Sequence, residues 1–218
     1  ALVGGFKQHQ KGTVDFRIAL IFGLPAILSV TAVRSFLIPI IPEELFAIGD
    51  VVISRRMCIL GGFAIVMIPA ALSMFKRPKK NTEKGNLKIV AFNYPLILIV
   101  GILIGSITGL VGAGGGFLII PALVLFANID IKTAIGTSLT IVTLKSLIGF
   151  LLGDALVVNI DWGFLLPFTY LAIFGVFIGN YLGSYFDNSK LRKIFGYFIF
   201  VMAGFIIYME FIGPPGIF

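Results

Sequence analysis

Residues 112 to 116 read Gly-Ala-Gly-Gly-Gly and fall inside Ile89–Ile129, a stretch without a single charge. Five small residues in a row hold a helix poorly, because glycine loses the most backbone entropy on ordering and brings no side chain to pack. In an apolar stretch this long the break unwinds at membrane depth, where open N–H and C=O groups are tolerated only against protein or a water-filled cavity. Phe117-Leu118-Ile119-Ile120-Pro121 then restarts a helix. Its free N–H groups and positive dipole end offer a site for an anion. The backbone of Gly112, Gly114, Gly115, Gly116 and Phe117 is therefore the first set of candidate ligands.

A second set follows in Ala134-Ile135-Gly136-Thr137-Ser138, with Thr140 and Thr143 at three-residue steps from Thr137. Hydroxyls in a membrane helix either bond back to their own turn or face a ligand. Lys145 lies two helical turns beyond Ser138, on nearly the same face, and an ammonium inside the membrane needs a partner that a bound anion can supply. Arg34 interrupts another apolar segment and either lines the same cavity or snorkels to the interface near Pro39. Asn180, between Gly179 and Gly183, reads as an interhelical hydrogen-bond partner or a further ligand. Gly101, Gly105 and Gly109 form a small-residue stripe suited to close helix packing.

Other chemistries find no support. Asp154 and Asp161 have no nearby His or Cys, and no cluster has metal-ligand spacing. The glycine run lacks the Lys-Ser/Thr ending of a nucleotide-binding loop, so no enzyme and no cofactor is expected. His9 stands alone in a basic loop and Glu210 near a helix end, both as solvated or interfacial groups. Cys58, the single cysteine, forms no intrachain disulfide and reads as a small buried hydrophobe.

The elements that must position these groups are membrane helices. Of 218 residues 58% are hydrophobic and 12% charged, with a mean hydropathy of +1.07, whereas soluble domains carry roughly a quarter charged residues. The spacing predicts spans at Phe16–Ile40, Met57–Phe75, Tyr94–Ala127, Thr133–Leu152, Gly163–Phe186 and Phe195–Ile212, with Ala1–Phe6 as the tail of another helix. The third is too long for one straight crossing at about 1.5 Å per residue, so it divides into a long helix and a returning half-helix, Phe117–Ala127.

The net charge of +7 is carried by short loops, which points to topology and not to nucleic acid. Lys76, Arg77, Lys79, Lys80, Lys84 and Lys88 face only Glu83, placing that loop in the cytoplasm of a multi-pass membrane protein. Arg55 and Arg56 run against this assignment, since they fall at the outer end of a span.

Residues 12–45 align weakly with 158–191: Asp15-Phe16 falls on Asp161-Trp162, Ser29 on Gly175 and Val33 on Gly179. The flanking loops carry opposite charge in the two copies, the mark of an inverted-topology repeat, and Arg34 comes close to the mate of Asn180. The expected fold is an all-α polytopic membrane protein with an inverted repeat and glycine-broken helices. It divides into an incomplete first repeat at 1–75, a basic cytoplasmic linker at 76–93 and a complete second repeat at 94–213. Only the second copy carries a glycine-broken hairpin ahead of the matched part, so the first is read as lacking its opening crossings.

The run from Gly101 through the glycine break to Pro121-Ala122-Leu123, followed by Ala134-Ile135-Gly136-Thr137-Ser138-Leu139, resembles the TauE/SafE sulfite exporter family, also called the 4-toluene sulfonate uptake permeases. Gly12-Thr13-Val14-Asp15-Phe16-Arg17 is similar to the loop that opens a helix in the first half of these proteins. The resemblance covers residues 1–50 and 88–212. It implies a secondary permease moving sulfite, sulfoacetate or another small organosulfonate anion, most simply as an exporter, with a small sulfur-containing anion and the lipid bilayer as its partners. Lys145 departs from the family pattern, which has a neutral polar residue there. Two competing readings stand beside this one: uptake of another small anion or sulfur-metabolism intermediate, and a membrane assembly subunit whose glycines serve packing alone.

Overall fold

The computed structural model describes residues 1–42, 44–48, 51–75, 94–112, 116–149 and 162–211. The basic loop, Ala113 to Gly115, and Asp154 and Asp161 lie outside the described residues. The chain folds as an all-α polytopic membrane protein, with six helices long and apolar enough to cross a bilayer among the described residues.

Helix α1 (Leu2–Gln10) turns through Gly12, whose φ of +67° belongs to the left-handed region, into α2, which runs from Phe16 to Ile40. Asp15 caps α2: its Oδ1 accepts the N–H groups of Arg17 and Ile18 at 3.0 and 3.2 Å. Near its far end α2 widens into a π-turn at Val33–Leu37, where the Ile38 N–H reaches back to the Val33 carbonyl. Pro39 lacks the N–H that would close on Ser35, and a bulge of this kind is one way a helix accommodates that loss.

A short antiparallel hairpin, β1 (Glu44–Ile48) and β2 (Val51–Ser54), occupies the connection expected as a loop and pairs Ile48 with Val51. Then come α3 (Arg55–Phe75), α4 (Tyr94–Val111), the half-helix α5 (Gly116–Phe126), α6 (Ile131–Gly149), α7 (Trp162–Tyr185) and α8 (Asn188–Phe211). The last helix begins seven residues before the predicted start, because Arg192 turns inward and donates to the Ser73 carbonyl at 3.0 Å instead of lying in a loop.

Two helix pairs carry most of the packing. A Cβ on Gly101 would meet the Phe22 carbonyl oxygen at 2.9 Å, one on Gly105 the Ala26 carbonyl at 2.6 Å, and one on Gly109 the Val33 Cβ at 3.1 Å. The glycine stripe is thus the seam along which α2 and α4 lie parallel, reinforced by the 2.7 Å bond between the Ser29 and Ser106 hydroxyls. The second pair is antiparallel: Gly196 of α8 sits against Met74 and Phe75 of α3, and Gly61 of α3 against Phe211 of α8.

Buried side chains form two clusters. Phe22, Ala26, Ile97, Leu123 and Ile141 belong to the first, and Phe63, Met67, Ala71 and Ile199 to the second. Helix α5 lies between them, giving Ile119, Ile120 and Leu123 to one and Leu118 to the other. Helix α7 differs from the rest: none of its residues is buried, and a Cβ on Gly175, Gly179 or Gly183 would have open space.

The contacts also fix helix directions. Thr13 and Asp15 lie against Gly136 and Thr137, while Gly23 lies against Ile141, so α2 and α6 are parallel. Gly4 meets Val176 and Lys11 meets Asn180, so α7 runs back toward the start of α2. The helices α2 and α7, whose sequences align weakly, therefore point in opposite directions.

Arg55 and Arg56, which ran against the charge pattern, have local explanations. Arg55 Nη1 donates to the Ile38 and Ile41 carbonyls at 3.1 and 3.0 Å, satisfying the end of α2, and Arg56 Nε lies 3.5 Å from Glu210 Oε1. Cys58, expected as a buried hydrophobe, is instead exposed on the outer surface of α3. A 21-residue apolar helix that packs along one seam must present its remaining faces outward.

Candidate functional site

The site is built from the end of α4, the start of α5, the π-turn of α2 and the far half of α6. Helix α4 ends when Gly112 adopts a φ of +76°, a left-handed value that L side chains rarely take, while its N–H still closes on the Thr108 carbonyl at 3.0 Å. Helix α5 begins at Gly116, where a Cβ would sit 3.8 Å from Val142 of α6. Val142 lies eleven residues into α6, about 16 Å along its axis, so the α5 N-terminus opens near the middle of the helical layer.

Arg34 comes to this break from the π-turn. Its Nη2 lies 3.4 Å from the Gly112 carbonyl oxygen, and its side chain is otherwise exposed. The extra residue in the π-turn changes the direction in which Arg34 leaves the helix, a feature the sequence periodicity did not reveal. Lys145 lies half-buried one turn beyond Val142, the residue of α6 that faces Gly116. Two cations from different helices thus flank the break, Arg34 at Gly112 and Lys145 one turn from the residue that faces Gly116. Like charges held together in a low-dielectric region repel, and an anion between them relieves the repulsion.

The structure separates the remaining predicted residues from this cluster. Thr137 is fully buried and its Oγ1 accepts the Asp15 N–H at 3.1 Å, tying α6 to the loop that opens α2. Ser138 is 2% exposed and donates to the Ile135 carbonyl of its own turn at 3.0 Å. Thr140 and Thr143 likewise bond back to Gly136 and Leu139. Gly136 is where the backbone of the Thr13 loop seats, since a Cβ there would fall 2.5 Å from the Thr13 carbonyl oxygen. The Gly-Thr-Ser cluster is therefore a docking point for the α1–α2 loop. Phe117 turns toward α8, its ring 5.7 Å from that of Phe198. Asn180 lies at the other end of the molecule and accepts a 2.6 Å bond from Lys11. Gly114 and Gly115 lie outside the described residues.

Among the described residues no group of three or more His, Cys, Asp or Glu is placed to hold a metal ion.

The profile of the family described as Sulfite exporter TauE/SafE matches residues 1–206. The chain belongs to that family. A TauE/SafE relative in Methanocaldococcus jannaschii, named a probable membrane transporter protein, is 34% identical over 121 residues, 53% of this chain and 44% of its own length. A probable membrane transporter protein of Xylella fastidiosa is 29% identical over 200 residues, 91% of this chain and 71% of its own length. A third relative so named, in Haemophilus influenzae, is 34% identical over 101 residues, 46% of this chain and 38% of its own length. The matched part of the chain thus spans less than half of two of these proteins. No solved structure matches.

Proposed function

We propose that the chain is a secondary permease for a small sulfur-containing oxyanion, and that it exports sulfite, sulfoacetate or a related organosulfonate across the bacterial inner membrane. The placement of Arg34 and Lys145 at the two sides of the glycine break carries this reading. The paired positive charge and the open N-terminus of α5 replace the water shell of an oxyanion that no apolar helix would admit. The family name supports sulfur and the outward direction. In this reading α2 and α7 are mates of an inverted repeat spanning 1–75 and 94–213, and the end that gathers Lys11, Lys132, Lys190, Arg192 and Lys193, with the 76–93 linker, faces the cytoplasm. Thr137, Ser138, Phe117 and Asn180 act at a distance, by fixing helices, and do not touch the anion at the break.

The test is flux. Purified protein in proteoliposomes loaded with sulfite or sulfoacetate is expected to release the anion saturably, with chloride and sulfate as controls. Arg34→Ala and Lys145→Ala are each expected to lower the rate about tenfold or more, the scale of one charge-assisted interaction lost in a desolvated site. Flux that survives both substitutions in folded protein, or a parent chain that moves none of the sulfur anions, refutes the proposal.

A further inference from the structure

A cavity of about 530 Å³ opens at the basic end, between α1, α6, α7 and the start of α8, far from the glycine break. Its polar wall comprises Gln8, Lys11, Thr13, Lys132, Asn180 and Ser184, and none of the described residues lining it is acidic. Lys11 Nζ donates to Asn180 Oδ1 at 2.6 Å. An ammonium can only donate, so this contact decides which end of the Asn180 amide is the oxygen. Asn180 Nδ2 is left buried with no hydrogen-bond partner, and an unmet buried donor calls for an acceptor. Thr13 Oγ1 lies 2.6 Å from Gln8 Oε1, so the acceptor end of that amide is occupied as well. The Ser184 hydroxyl is spent on the Tyr181 carbonyl at 2.6 Å and that of Thr13 on Gln8, so the donors the wall offers are those of Lys11, Lys132, Asn180 and the Gln8 amide, with the positive charge of the two lysines. The opposite wall is hydrocarbon, from Ile135, Leu139 and Val176.

We propose that this cavity is an anion site distinct from the glycine break, taking an organic oxyanion whose head sits between Lys11, Lys132 and Asn180 and whose apolar body lies along Ile135, Leu139 and Val176. The two-sided lining selects against a bare inorganic ion, and the volume falls in the range of sites for small organic ligands, roughly 300–1,000 Å³. A free sulfonate or carboxylate with a short hydrocarbon body has this chemistry, and so does the head of an anionic lipid, which the open flank of α7 admits. The site does not depend on the transport reading.

Occupancy is read by alkylation at position 184 in a Cys58→Ser, Ser184→Cys protein held in nanodiscs of zwitterionic lipid. Butanesulfonate is expected to slow the reaction at least about fivefold, and inorganic sulfate less than about twofold, as mass action at a two-sided site requires. Lys11→Gln with Lys132→Gln should abolish the protection, with thermal melting confirming that the variant is folded. Protection by phosphatidylglycerol without added sulfonate assigns the site to a lipid head; protection by butanesulfonate alone assigns it to a free anion. Either result supports the site. Reactivity unchanged by both ligands, protection that persists in the double lysine variant, or equal protection by sulfate overturns it. The readout is occupancy and not flux, so a protein that moves no anion still gives the answer.

Discussion

Gly105→Ala tests the α2–α4 seam at its closest point. The added Cβ would fall 2.6 Å from the Ala26 carbonyl oxygen, 2.8 Å from the Ala26 Cα and 3.0 Å from the Ser29 Cβ. Two of these are backbone atoms, so no rotamer change relieves them and the helices must part by most of an ångström. Parting them also stretches the bonds from Ser29 Oγ to Ser106 Oγ, at 2.7 Å, and to the Ile102 carbonyl, at 2.9 Å. Overpacking costs about 1–3 kcal/mol, and each interhelical hydrogen bond in a membrane protein adds about 0.6 kcal/mol. The helix propensity gained from alanine returns roughly 0.8–1 kcal/mol. The expected net loss is about 1–3 kcal/mol, read from reversible unfolding in mixed micelles. Gly62→Ala is the control, because a Cβ there meets nothing within 4 Å and only the propensity term acts, so that variant should equal or exceed the parent. If Gly105→Ala unfolds at the same denaturant concentration as Gly62→Ala, the seam is not where the structure places it.

Three further outcomes follow from single contacts. Asp15→Ala removes the cap that accepts the Arg17 and Ile18 N–H groups and should cost about 1 kcal/mol in the same unfolding assay, with Asp15→Asn recovering most of it. Thr137→Val keeps the volume but leaves the Asp15 N–H without its acceptor, so a loss of about 1–2 kcal/mol is expected while Thr137→Ser stays near the parent; anion flux per folded molecule should fall far less than in Lys145→Ala. Arg55→Ala uncovers the Ile38 and Ile41 carbonyls, and amide hydrogen exchange should rise in residues 38–42 and in α3's first turn, with α4 unchanged.

Composition and hydropathy made the membrane helices legible, because a bilayer demands runs of about 20 apolar residues and little else satisfies the backbone there. The glycine break was legible for the same reason: Gly112 does take a left-handed φ at the end of α4. The roles of Thr137 and Ser138 were not. Their spacing is identical whether the hydroxyls face a ligand or seat a loop, and only the contact with Asp15, 122 residues away, decides it. Arg34 reads as cavity-lining or snorkelling; the π-turn that carries it lies just ahead of Pro39, and no hydrophobic periodicity registers a single widened turn. Lys190, Arg192 and Lys193 read as loop because charge marks membrane ends, whereas a helix can extend past the apolar layer and carry its charges with it.

The closeness of the α2–α4 seam has a mechanical consequence. Two helices whose backbones nearly touch along three successive turns cannot slide without lifting over each glycine step, so they behave as one stiff plank. The α3–α8 pair is held by side chains seated on glycine, the Phe211 ring on Gly61 and Met74 and Phe75 on Gly196. Compliance is then left to α5, the short piece wedged between the planks, which begins just past the left-handed Gly112 that ends α4. A motion that exposes the break first to one side of the membrane and then to the other would tilt plank against plank, and α5 would be the bearing on which they turn.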